Sequence, residues 1–297
     1  MPSSASAYCR TSACAHDEVG VRCTPATAED CGTPLFWPDP CVGYSIQKDG
    51  GPTIDAEDFR TIANAAFASW TDADCGGGDH PRMSVSYLGL VSCDQIEYNP
   101  KGANDNAIIF RSDSWPYAAT NALALTTVTY NLDTGEIRDA DMELNATDVT
   151  FTTTDTNVEV DIRSIVTHEA GHFLGLAHSP VAGATMEADY PPHSTSLRSL
   201  SADDVSAICA AYPPGSIGSC DPTPKGGLGD ACNSPATTPP DGGCCAIAPG
   251  AARSSDSSAA VAALFGLTVM LARRKVPAAR PRSRGASDRR SCRGSRS

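Results

Sequence analysis

The run His168-Glu169-Ala170-Gly171-His172-Phe173-Leu174-Gly175-Leu176-Ala177-His178 restricts what this chain can fold into more than any other stretch. Ile162, Ile165, Val166 and Phe173 share one apolar side at helical spacing, so the first part of the run reads as an anchored helix starting near Asp161. On that helix His168 and His172, four residues apart, project from one face a turn apart. Two imidazoles so placed can hold one Zn²⁺ at about 2.0–2.1 Å each. Glu169, next to the first ligand, is badly placed to be a ligand and well placed to take a proton from a water. Gly175 fits a helix end, because glycine adopts the left-handed cap conformation without strain. The chain can then turn back and deliver His178 as a third nitrogen. Three protein ligands with a fourth position open is the layout of a catalytic zinc site.

Eight residues beyond His178 comes Met186, within Ala184-Thr185-Met186. Together these residues match HExxHxxGxxH followed by a Met-turn. The chain thus resembles the metzincin clan of zinc endopeptidases. Ser179 directly after the third histidine, with Ala184-Thr185-Met186, looks most like the matrixin branch. The resemblance implies an α+β, metzincin-like zincin fold, with a twisted mixed sheet of about five strands, three main helices and the active-site helix under a substrate cleft. It implies one catalytic zinc on His168, His172 and His178, with Glu169 as general base and then general acid. It makes Met186 an apolar floor beneath the imidazoles. It also suggests, by analogy, that residues 123–130 form an edge strand which pairs with an extended substrate. Tyr190, four residues past Met186, is a candidate transition-state contact. The other histidines, His16, His80 and His193, are scattered, so a single zinc is expected.

Composition bears on where such chemistry would operate. Thirteen cysteines in 297 residues point to an oxidising compartment. Ten of them precede Cys244, an even number that fits a disulfide set of undefined connectivity; Cys75 and Cys93 flank a predicted strand and are candidates to staple it. The net charge of −13 is uneven, because ten Lys/Arg against one Asp fill Arg273 to Ser297. A body this acidic argues against nucleic-acid binding.

In chain order, residues 1–31 read as a signal remnant (Ala5-Ser6-Ala7 is A-x-A-like) and a Cys-rich extension. Residues 32–213 read as the catalytic domain. Strands are predicted at Val42–Gln47, Met83–Tyr87, Ala107–Phe110, Leu123–Tyr130 and Glu136–Asn145. Asp55 is the predicted N-cap of a core helix with Phe59, Ile62, Ala63, Ala66, Phe67 and Trp70 on one face. Ser201 with Asp204 signals a last helix, ended by Pro213-Pro214. The acidic run Asp139, Asp141 and Glu143 reads as a solvated edge, with Ca²⁺ as a second possibility. Residues 214–258 have linker composition. Residues 259–275 form a short apolar segment closed by an Arg cluster, and 276–297 a basic tail with the composition of disorder. Cys244-Cys245, the apolar segment and Arg273-Arg274 resemble the tails that sort proteins to the myxobacterial cell surface.

The expected function is zinc-dependent hydrolysis of peptide bonds in extracellular proteins by an exported, surface-retained monomer. The expected partners are protein or peptide substrates and, through the C-terminal segment, a membrane. The alternative is a non-catalytic surface module that keeps zinc and the fold. Glu169 weighs against it, because a binding module needs no base.

Overall fold

In the computed structural model, residues 7–13, 20–23, 32–92, 96, 98–117, 122–229 and 260–268 are described. In chain order the elements are β1 (Cys9–Ala13), β2 (Gly20–Cys23), β3 (Thr33–Pro34), β4 (Cys41–Gln47), α1 (Ala56–Thr71), β5 (Ser84–Val91), β6 (Ala107–Arg111), β7 (Ala122–Asn131), β8 (Ile137–Asn145), β9 (Phe151–Thr152), β10 (Val160–Asp161), α2 (Ile162–Phe173), α3 (Ala202–Ala211) and β11 (Ala260–Thr268). The main sheet runs β5-β4-β6-β8-β7, and β11 adds outside β7. Strands β5, β4, β6 and β8 run parallel to one another; β7 is antiparallel to β8, and β11 is antiparallel to β7. This is the α+β mixed sheet with three helices that the sequence implied.

Helices α1 and α2 pack together against the sheet. The α1 face forms as spaced: Phe59, Ala63, Ala66, Phe67 and Trp70 are buried. Phe67 meets Tyr44 of β4 and Phe173 of α2, and the Trp70 indole donates to Thr167 O at 2.8 Å, tying the two helices. Each helix start carries the cap its sequence signals. Asp55 accepts from the amides of Glu57 and Asp58, Asp161 from Ser164, and Ser201 with Asp204 forms a capping box.

Two expectations need correction. The acidic run is not a solvated edge: β8 lies between β6 and β7, and Asp139, Asp141 and Glu143 are all buried. Two of its carboxylates take protein donors. Glu143 pairs with Arg111 and Tyr117, while Asp141 accepts from Ala107 N at 2.8 Å. Cys75 is bonded to Cys209, which ties the end of α1 to α3; a second disulfide joins Cys41 to Cys220. Cys93 lies outside the described residues, as do residues 1–6, 230–259 and 269–297.

The N-terminal segment is built into the structure around α2. Thr11 N donates to Gly175 O, Ala177 N to Cys9 O, and the β1 residue Arg10 bridges Leu176. Ala260–Thr268, within the segment that reads as a sorting signal, is extended along β7. Among the described residues no helix is long and apolar enough to cross a membrane.

Candidate metal centre

Helix α2 carries His168, Glu169 and His172 in its last turns and ends at Phe173. Gly175 follows with φ +85°, its amide bonded to His172 O and that of Leu176 to Gly171 O. This pair of bonds is a Schellman cap. Glycine is required twice over, since a Cβ there would also stand 2.8 Å from Leu35 O. The remaining end carbonyls, which a helix leaves without internal partners, are met by long side chains: Trp37 Nε1 donates to Phe173 O and Tyr212 to Leu174 O. The cap reverses the chain and brings in His178.

The three imidazoles converge. His168 Nε2 and His172 Nε2 are 3.1 Å apart, and His172 Nε2 and His178 Nε2 are 3.2 Å apart. Nitrogens on a tetrahedral zinc at about 2.05 Å stand about 3.3 Å from one another, so the spacing fits that metal. Among the described residues this is the one group of three or more His, Cys, Asp or Glu whose donor atoms meet closely enough to hold an ion.

The outward ring nitrogens set the tautomers. His168 Nδ1 is 2.6 Å from Thr185 O and His172 Nδ1 is 2.9 Å from Leu176 O. A carbonyl can only accept, so each Nδ1 carries the proton and each Nε2 keeps its lone pair for the shared centre. Burial, with His178 nearby, lowers His168 to about pKa 3 despite its bond to Thr185 O. Burial also drives His172 well below its ordinary value, with His168 and His178 adding to it, and lowers His178 against the opposing charge of Asp189. All three are held in the neutral form that binds a metal.

Met186 is buried beneath the site. A Cβ on Gly171, between the two helical histidines, would collide with Met186 Sδ. The Met-turn is clamped from two sides. Asp204 accepts from Thr185 N at 2.7 Å and Met186 N at 3.0 Å, and Met186 O accepts from Ser179 N, the residue after His178. Thr185 thus connects Asp204 to His168: its amide donates to Asp204 while its carbonyl accepts from the imidazole. Ser179 itself donates to Asp203 at 2.6 Å.

Residues 99–213 match the matrixin family. That stretch contains all three histidines, Glu169 and Met186. The chain is similar to the metalloendoproteinase 1-MMP of Arabidopsis thaliana, 39% identical over 180 residues covering 60% of this chain and 44% of the relative. It is similar to the metalloendoproteinase 4-MMP of the same plant, 33% identical over 56% of this chain and 43% of the relative. It is 42% identical to the human neutrophil collagenase over 65 residues, 22% of this chain and 14% of that protein. The chain spans less than half the length of each of these relatives.

Tyr190 does not belong to this matrixin-like centre. Its hydroxyl accepts from Asp161 N at 2.8 Å and donates to Ser194 O at 2.6 Å, at the start of α2. His168 lies seven residues along the helix, a rise of about 10 Å. His80 and His193 each face a backbone carbonyl elsewhere, and His16 is outside the described residues. Sequence reasoning missed three residues that shape the site: Gly171, Asp204 and Thr126. A glycine inside a helix was a legible signal for the first. Asp204 was visible as half of a capping box, but its hold on the Met-turn was not.

Proposed function

We propose that the chain is a zinc endopeptidase that hydrolyses peptide bonds of extended protein substrates, with one chain supplying the whole ligand set. The observation that carries this reading is the convergence of three neutral imidazoles with Glu169 between two of them on the same helix. Zinc bound there supplies Lewis-acid chemistry, lowering the pKa of a bound water toward about 7 and polarising a carbonyl. The Glu169 carboxylate takes a proton from the attacking water as its oxygen bonds to the carbonyl carbon. It returns that proton to the amine nitrogen as the C–N bond breaks. Met186 and the Trp70 ring lie buried against Gly171, between the two helical histidines.

The side of β7 away from β8, expected to be a free edge, is occupied by β11. It takes an antiparallel strand in this structure, since β11 pairs along it from Asn131 to Ala122 and also approaches α2. A substrate using the same main-chain bonds would displace β11. Export and surface retention are part of the proposal. The disulfides Cys41–Cys220 and Cys75–Cys209 favour an oxidising compartment. Retention would draw on the C-terminal apolar segment, and a segment paired to β7 cannot at the same time lie in a membrane. Calcium is left out of the reading, because Asp141 and Glu143 are spent on protein donors.

The test is cleavage of an unfolded protein. The expected result is chelator-sensitive hydrolysis, abolished by Glu169→Ala with one zinc still bound. Hydrolysis that survives Glu169→Ala overturns the mechanism. Zinc binding without hydrolysis across a broad peptide library selects the non-catalytic module instead.

A further inference from the structure

One polar contact at the site is not explained by metal binding or by packing. Thr126 lies in the middle of β7 and is fully buried. Its Oγ1 donates to Glu169 Oε2 at 2.6 Å, within the range of a charge-assisted O–H···O⁻ bond, while the other acceptor in reach, Glu169 O, is farther at 3.3 Å. Side chains alternate along a strand, and the neighbours on the same face, Ala124 and Val128, belong to the hydrophobic core. Valine has the shape of threonine and would fill this row without a buried hydroxyl, so packing alone does not call for the oxygen.

We infer that Thr126 is the positioning residue of Glu169. The inference rests on the proposed role of Glu169 as base; the hydrogen bond itself does not. Holding Oε2 sets the rotation of the carboxylate and hence where Oε1 stands. It also refers that position to β7. The backbone of Thr126 pairs with Met142 of β8 on one side and with Phe265 of β11 on the other, in the track proposed for substrate. One residue therefore belongs to the strand that would align the scissile peptide and holds the carboxylate that would act on it. A misplacement of about 1 Å can cost on the order of 100-fold in rate.

The experiment uses the full chain, zinc-loaded, with Thr126→Val and Thr126→Ser. Thr126→Val is expected to lower kcat about 10- to 100-fold with KM little changed and one zinc retained. Thr126→Ser, which keeps the hydroxyl, is expected to restore most of kcat. A second readout is independent of turnover. A buried hydroxyl proton bonded to a carboxylate exchanges slowly, so Thr126 should give a hydroxyl proton resonance that is absent in Thr126→Val and shifted or lost in Glu169→Ala. Wild-type kcat in Thr126→Val overturns the inference, as does a serine variant as impaired as the valine one. If the wild type cleaves nothing, the proposed activity fails. The resonance then decides the contact alone: its presence and dependence on Glu169 support it, and its absence overturns it. If Thr126→Val does not fold, Thr126→Ser and the resonance decide in the same way.

Discussion

Replacing Gly171 by alanine sets two effects of opposite sign against each other. Gly171 is an interior residue of α2, where alanine is favoured over glycine by about 1 kcal/mol through backbone entropy. On propensity alone Gly171→Ala should stabilise the protein. The structure predicts the reverse. A Cβ at this position collides with Met186 Sδ and stands 2.8 Å from Trp70 Cζ2, under the closest approach real side chains make. Met186 could shift its flexible end, but it is buried, and its backbone is held by Asp204 and Ser179. Trp70 cannot swing away without breaking its 2.8 Å bond to Thr167 O. Overpacking of a tight core costs about 1–3 kcal/mol, so the upper part of that range, less the propensity gain, leaves a net loss of about 1–2 kcal/mol. For a domain of this size that is a fall in Tm of about 3–6 °C. The collision lies between the two helical ligands, so zinc affinity should fall as well. Thermal unfolding of the metal-free protein, with competitive zinc titration, measures both. A variant as stable as the wild type or more so would refute the view that the Met-turn is packed against α2 at this glycine.

Asp204→Ala should weaken zinc binding about 10- to 100-fold, the usual effect of losing an outer partner of a ligand. It releases the amides of Thr185 and Met186, and Thr185 O orients His168; wild-type affinity in a chelator competition would contradict this. Asp139 is raised to about pKa 7 by burial and then by Asp105, against a hydrogen bond with Asp141. Its native state therefore binds more protons than the unfolded chain between about pH 4 and 7, and stability drains away as pH rises through that window. His168 and His172, with lowered pKa values, act in the opposite sense there, so the informative quantity is a difference. The stability of Asp139→Asn relative to wild type should rise from pH 4.5 to 8, by an amount on the order of a few kcal/mol. A flat difference in denaturant titrations would show that Asp139 does not titrate across this range.

Much of the site was legible because it is local. The pitch of a helix places His168 beside His172 whatever surrounds them, and a glycine at 175 announces the reversal that delivers His178. Asp55, Asp161 and Ser201 could be read as caps because each bonds amides two or three residues away. The α1 face could be read because its apolar spacing repeats. Where the chemistry crosses between elements, the sequence offered no such rule. Alternation along β8 gave Asp139, Asp141 and Glu143 one face, but whether that face meets water depends on what packs over it. Cys75 reached Cys209 across 134 residues rather than its near neighbour in sequence. Tyr190 sat at a plausible distance along the chain from the three histidines, yet its hydroxyl closes the far end of α2.

By itself, then, the sequence determined the histidines that converge, the glutamate beside them and the helix that carries them, since i, i+4 geometry and end-caps depend only on backbone pitch. The tertiary structure alone decided what holds those groups in place: Thr126 on Glu169, Asp204 on the Met-turn, and Met186 against Gly171. Those contacts join residues 15 to 43 positions apart on different elements. Their distances are set by how β7, α2 and α3 pack, a collective outcome of the whole core that no local pattern encodes.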